Sequence, residues 1–405
     1  MNFSSSRTWA GIGFSLLFLI NTSLVIAGLF FDYLWCTLSG IVLSLVQLWL
    51  YEQFSRNQNA LSEHCLLSDF DLQLIIGRSR PGVLLSGTNA DGFAFDVGHK
   101  LVQCCDTTLL MAGNMLFTEI GTGNCRLPYR MNLLNIGSLN IAALDKGSLL
   151  ALSRGAKTSD CAVNTGVLGI VPELLRGGSD LIWRMDRLDP SYRNTDGSFK
   201  EATFKQAANR PYIKMIEIRI KAAHFLPDVS ETSLNRLIAF LERLKILSGG
   251  KPTGVYVTAA DHALIARLCR VMAANVIYLD FVTVESTAEK NAPFTALFTA
   301  IDAVRLAIAE YRLPTKIIAS GDLARERDIL QAIGHGAHAC YSVRPFQVAL
   351  GAACWLIKST TNNKVASVTA FHQNTLAATI RLITACAAKQ TTACDETLIN
   401  AAQLN

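Results

Sequence analysis

From residue 131 onward eight short apolar runs recur, with stretches of helical spacing between most of them. The apolar runs fall at 131–137, 161–166, 180–185, 212–220, 253–258, 278–285, 316–320 and 338–343. Between them Ala142–Ala156, Ser233–Leu247, Thr295–Ala309 and Ala324–Ile333 place apolar residues on one face. Leu234, Leu237, Ile238, Leu241 and Leu244 show the spacing best. Short strands that are apolar throughout belong to parallel sheets covered on both faces. Eight of them in βα alternation predict an α/β protein with a closed (β/α)8, or TIM, barrel. Ser367–Ala388 reads as a closing helix. In such a barrel the C-terminal strand ends form the mouth where ligands bind.

The remainder of the 405 residues divides around this unit. We read 1–51 as a transmembrane hairpin, 52–128 as a lead-in, 129–390 as the barrel and 391–405 as a tail. Trp9–Phe31 carries no charge, Asp32 follows, and Tyr33–Tyr51 is again uncharged. Each run is long enough to cross a hydrocarbon core of about 30 Å. Arg7 precedes the pair and Arg56 follows it, which places both ends, and the barrel, on the cytoplasmic side. The alternative is a buried core hairpin. In the lead-in, Glu52–Leu74 reads as a helix. Turn clusters at Ser79–Gly82 and Gly87–Gly92 alternate with short strands at 83–85, 93–97 and 108–111.

Net charge is only +5 and basic residues do not cluster with aromatics, so nucleic acid is not an expected partner. The expected partner is the lipid bilayer, with a protein partner or a second copy of the chain left open. The eleven cysteines include no CxxC pair and the seven histidines no HxxxH pair, so no metal site is expected. Scattered thiols fit a reduced compartment.

Two stretches suggest a phosphate cradle. Ala319-Ser320-Gly321 ends the seventh run before a helix, Gly336-Ala337-His338 opens the eighth, and Arg344 closes it. Glycine lets backbone N–H groups approach phosphate oxygens, and arginine offers a bidentate fork. The plainer alternative is that Ser320-Gly321 only caps a helix.

The wording of several strand ends resembles the FMN-binding domain of the glutamate synthase family. Asn135-Ile136, Arg154-Gly155-Ala156, Asn164-Thr165-Gly166, Met215-Ile216-Glu217-Ile218-Arg219, Ser248-Gly249-Gly250-Lys251-Pro252 and Ala319-Ser320-Gly321 carry the likeness in order. It spans roughly two-thirds of the chain. It implies an oxidoreductase of glutamate or amino-acid metabolism with FMN as cofactor. Ser320, Gly321, Gly336 and Arg344 would hold the phosphate, and Asn135, Asn164, Thr165, Gly166 and Arg219 would line the flavin.

The departures fall where the resemblance would place chemistry. The strand position at which the family has lysine near the flavin N1 is Tyr256. Lys251 lies outside the strand and is expected to be solvated. Pro345 replaces a family glycine and removes an N–H. Val167-Leu168 stand for Glu-Gly, which suits packing rather than recognition of an oxo acid. The loop over 221–229 is short, and Glu285–Ala292 contains no glycine. The three cluster-cysteine positions fall at Ala352, Lys358 and Asn363, so no iron–sulfur cluster is expected. No residue is assigned as catalytic. Three functions follow: an altered flavin oxidoreductase, an inactive barrel serving as a membrane-tethered scaffold or regulatory subunit, or a barrel that binds a phosphate ligand without flavin.

Overall fold

A computed structural model describes residues 39, 41–45, 67–87, 116–121, 125–138, 144–186, 192–225, 230–286, 294–352 and 360–402. The chain divides into two units, Met1–Cys65 and Leu66–Asn405. In the first, Ser39 and residues 41–45 are helical. The expected transmembrane hairpin otherwise lies outside the described residues. Among those residues no helix is long and apolar enough to cross a membrane.

The second unit opens with helix α1, Asp69–Arg78. The expected helix from residue 52 does not run through to 74. Ser68 is extended and its hydroxyl accepts from the Asp71 N–H at 3.1 Å, which starts a new helix at Asp69. Residues 83–86 form no strand. The strands expected at 93–97 and 108–111 lie outside the described residues.

Strands β1 (Phe117–Ile120) and β2 (Tyr129–Asn132) form an antiparallel pair, and β3 (Leu134–Ile136) follows after one residue. The single run expected at 131–137 is therefore two strands in different sheets. In order come α2 (Lys146–Thr158), β4 (Val163–Asn164), α3 (Pro172–Gly177), β5 (Leu181–Asp186), α4 (Glu201–Ala208) and β6 (Ile213–Arg219). Next are α5 (Glu231–Leu247), β7 (Thr253–Thr258), α6 (Ala263–Asn275), β8 (Phe281–Glu285) and α7 (Thr295–Glu310). Last come β9 (Lys316–Gly321), α8 (Glu326–Gly334), β10 (Ala339–Ser342), α9 (Arg344–Ala352) and α10 (Thr361–Ala402). Strands β3 to β10 close a parallel barrel, with β10 paired to β3, and each falls within or beside one of the eight expected runs.

Strand alternation sorts the side chains. Leu181, Trp183 and Met185 of β5, and Ile216 and Ile218 of β6, face the helical shell. Trp183 stacks there on Phe204 at 5.2 Å. Each buried aromatic or aliphatic side chain in that shell contributes about 1.5–3 kcal/mol. Inside the barrel Ile182, Met215, Phe281, Ile318, Ala339 and Tyr341 meet Ile120 and Met131 of the hairpin. The β1–β2 hairpin thus closes the N-terminal end of the barrel.

Gly250 fixes that lid. The Arg126 and Leu127 N–H groups donate to its carbonyl at 3.0 and 3.1 Å. Its φ is +87°, and a Cβ there would lie 2.7 Å from Arg126 Cβ, so only glycine fits. Lys251 beside it is buried rather than solvated. Its Nζ donates to the Ala208 carbonyl at 2.5 Å and the Arg210 carbonyl at 2.9 Å. Burial and the nearby Lys214 charge push its pKa down to about 8.

Candidate functional site

Above the apolar layer the barrel interior turns polar. Asn164, Arg184, Glu217, Thr283, Ser320 and Tyr341 are all buried there, beside the Tyr256 ring. Glu217 is its centre. Asn164 Nδ2 donates to its Oε2 at 2.7 Å, and Thr283 Oγ1 donates to its Oε1 at 2.6 Å. Desolvation raises the Glu217 pKa; Thr283, the Arg184 charge and Asn164 act against it, and Glu285 adds to it. The Arg184 guanidinium lies over the Tyr256 ring, 4.4 Å from its centroid. The Tyr256 hydroxyl is 3.5 Å from Ser320 Oγ, and burial followed by the Glu285 charge raises its pKa well above the ordinary range. Tyr341 faces Asn164 and Thr283, with its pKa likewise raised by burial and then by Glu217.

Three donors in this layer lack an acceptor. Arg184 Nη1, Arg219 Nε and the Tyr341 hydroxyl are buried and make no hydrogen bond of good geometry among the described residues.

The residues singled out from sequence divide by role. Asn135 ties strands together: its Oδ1 accepts from the Ala162 N–H at 3.0 Å and its Nδ2 donates to the Asn132 carbonyl at 2.5 Å. Asn164 reaches Glu217 and also accepts from the Gly166 N–H at 3.0 Å. Thr165 Oγ1 accepts from the Arg184 N–H at 3.0 Å. Gly166 opens a short 3-10 turn with φ +62°. Val167 in that turn is 65% exposed, so it forms an aliphatic lip and is not packed away as its residue type suggested. Arg219 is half-buried at the end of β6. Gly321 is covered by Phe294: a Cβ there would lie 3.3 Å from the Phe294 ring and from Ser286 Cβ.

Ser320, Gly321 and Arg344 do come together at the β9 and β10 ends. Gly336 does not. It sits in the turn from α8 into β10, at the opposite end of the barrel, with φ +113° and Arg305 against it. A residue that opens a strand cannot share the mouth with residues that end one.

The cradle itself is closed from within. Arg344 Nε donates to Asp322 Oδ2 at 2.5 Å and its Nη2 pairs with the same oxygen. The Arg344 N–H, first of α9, donates to Asp322 Oδ1 at 3.0 Å. The Val343 N–H donates to the Gly321 carbonyl at 3.0 Å, and Pro345 has no N–H to offer. A helix N-terminus that would attract a phosphate already holds a carboxylate. At α8 the neighbouring N-terminus is similar: the Arg325 N–H donates to Asp328 Oδ2 at 3.4 Å. These residues do not fit a flavin phosphate, because a dianion would meet Asp322 and find its donors engaged.

Glu326, in the first turn of α8, binds the lead-in. Arg78 Nη2 pairs with its Oε2, and the Gly87 N–H and Ser86 Oγ donate to its Oε1 at 2.7 and 3.0 Å. Arg78 also donates to the Ala324 carbonyl at 3.0 Å. Arg325 pairs with Asp71, Nε to Oδ1, at 2.5 Å.

Arg184, Asp322 and Tyr341 were missed from sequence. Arg184 was readable: with Trp183 and Met185 facing out, the residue between them faces in. Asp322 had no such signal, since its partner is 22 positions away and the two meet only because β9 and β10 are neighbours.

For metals, among the described residues no group of three His, Cys, Asp or Glu side chains could hold an ion. Of the cluster positions, Lys358 and the side chain of Ala352 lie outside the described set.

No family model matches the chain. It is similar to the glutamate synthase large subunit-like protein YerD of Bacillus subtilis, 25% identical over 261 residues. That match covers 54% of this chain and 50% of the relative, so the chain spans about half the length of the curated protein it matches. Among solved structures, a lactate oxidase from Pediococcus acidilactici has 14% identity and a TM-score of 0.44, covering 67% of this chain and 75% of its own. A mandelate oxidase with benzoyl-formic acid has 13% identity and a TM-score of 0.42, covering 82% and 93%. Similarity at that level bears on neither site nor activity.

Proposed function

We propose that this chain is a glutamate synthase-like barrel protein, of oxidoreductase descent, whose mouth no longer holds FMN in the family's manner. It acts as a binding or scaffold protein, tethered to the bilayer by the uncharged runs at 9–51 with the barrel on the cytoplasmic side. The relative from Bacillus subtilis supports the descent. The observation that carries the change is Asp322, whose carboxylate takes the Arg344 guanidinium and the first N–H of α9. A flavin dianion placed there would need both.

The alternative is a working flavin oxidoreductase. It is favoured by Asn164, Thr165 and Ser320, which stand buried at the strand ends where the resemblance needs them. The full chain, purified in detergent, separates the two. A colourless protein whose unfolding midpoint FMN does not raise supports the proposal. Flavin absorbance that co-purifies with the chain overturns it. The tether is tested by fractionation: the protein should stay with membranes through a high-salt wash and leave them in detergent.

A further inference from the structure

Arg184 carries a charge that the barrel does not explain. It is 4% exposed, and among the described residues it forms no ion pair while its Nη1 has no hydrogen-bond partner. Burial of an uncompensated guanidinium is strongly unfavourable. Nothing in the fold requires it, because a methionine would fill the space between Tyr256 and Glu217 without that cost. The ring of Tyr256 holds the guanidinium plane in place, as a binding fork would need.

Two further groups converge on the same space. Arg219 is on the adjacent strand and one layer nearer the mouth, since Arg184 pairs in register with Glu217 and Asp186 with Arg219. Its Nε is buried and unpartnered, while the side chain as a whole is half-exposed, which puts it on the way in. Tyr341 reaches in from β10, its hydroxyl facing Asn164 and Thr283 without a hydrogen bond of good geometry among the described residues. These are donors without an acceptor. The carboxyl groups nearby are Glu217, held toward its neutral form by burial, with Glu285 and Asp186 nearer the strand ends. Two guanidinium groups facing Glu285 and Asp186 leave the layer close to neutral, which disfavours a dianion.

We propose that the barrel interior at β5 and β6 binds a small monoanionic carboxylate, gripped by Arg184, with Arg219 on the entry side and Tyr341 completing the hydrogen bonds. This deepens the binding-protein reading and rests on it.

The test uses full-chain protein in detergent at constant ionic strength, with sodium chloride as reference. Acetate, pyruvate and inorganic phosphate are added in turn while thermal unfolding is followed. Acetate or pyruvate should raise the midpoint and phosphate should not. Arg184→Lys, which keeps the charge but not the fork, should weaken the response at least about tenfold. Arg184→Met should abolish it, and Arg344→Met should leave it in place. If Arg184→Met does not fold, Tyr341→Phe serves with Arg184→Lys. No shift with either carboxylate, as when only water sits at Nη1, overturns the proposal. So does a shift that survives unchanged in the Arg184 variants. Failure of the underlying reading shows separately, as flavin bands in the spectrum of the same sample.

Discussion

Two places in the barrel have the residues to hold an anion, and they are finished differently. At and beside the β9 and β10 ends the donors have partners: Arg344 has Asp322, the Val343 N–H has the Gly321 carbonyl, and Arg78 has Glu326. At β5 and β6 the Arg184 Nη1 and Arg219 Nε atoms are buried and make no hydrogen bond among the described residues. The first arrangement is what a structural element needs. The second lowers stability unless something else binds. A site is therefore better sought where the fold leaves charge unbalanced than where a motif matches.

The sharpest way to break that contrast is to unbalance the first region. Arg78 and Glu326 are 0% and 1% exposed, so Arg78→Ala leaves a buried carboxylate without its counter-charge. We expect a loss of about 3–5 kcal/mol in denaturant unfolding. A loss under about 1 kcal/mol would mean that the pair is not buried in solution. Acid should act the same way. Burial works to raise the Glu326 pKa, but the Arg78 charge and hydrogen bonds from Arg78 and Gly87 outweigh it and hold the carboxyl below 4.5. A lowered carboxyl pKa contributes stability above the unfolded value, which is lost as pH falls through the folded one.

His372 sets a second acid limb on the same side. It is fully buried against Phe346, its Nε2 donates to the Leu134 carbonyl at 2.9 Å, and burial pushes its pKa down to about 4 from 6.5. The folded state favours the neutral ring, so its contribution is complete above pH 6.5 and declines as pH falls toward 4. The unfolded chain then binds one proton more, a slope of up to about 1.4 kcal/mol per pH unit. The pKa of His338 is lowered to about 4 in the same way, so His372→Gln should remove about half of the slope between those values. An unchanged slope would assign that limb to other groups.

The sequence showed the barrel but not this contrast, for physical reasons. Eight apolar runs with helical spacing between them have one solution, so β3 to β10 were legible. The boundary inside 131–137 was not. Leu133 alone separates the hairpin strand from the barrel strand, and from Met131 to Ile136 only Asn132 and Asn135 are polar, so periodicity reads the stretch as one. Lys251 was misjudged because its acceptors, the carbonyls of Ala208 and Arg210, belong to another turn. Pairs such as Asp322–Arg344 and Arg78–Glu326 are made by topology. A motif shows only one partner, so the residues looked available when they were engaged.

A smaller pair of variants tests the contrast by sign. Arg344→Met removes a paired charge and should lower stability by about 2 kcal/mol. Arg184→Met removes an unpaired one and should raise it by about 1 kcal/mol in the absence of ligand, the gain in burial being partly offset by the lost contact with Tyr256. Equal and negative changes would mean that Arg184 has a partner in solution.

The mildest change asks whether Asp322 is a plug. Asp322→Asn keeps an oxygen that can accept from the Arg344 N–H, so the start of α9 stays capped. Only the charge opposite the guanidinium is lost, at 15% exposure, and we expect a cost of about 1 kcal/mol or less. The informative change is a gain. With no carboxylate beside it, Arg344 and the N-terminus of α9 offer an uncompensated positive potential. Inorganic phosphate, without effect on the native chain, should then raise the unfolding midpoint of the variant by mass action. If phosphate still does nothing, Phe294 over Gly321 closes the cradle sterically and Asp322 is only a cap. If phosphate already stabilises the native chain, the first region is not self-satisfied, and the contrast with β5 and β6 fails on its own terms.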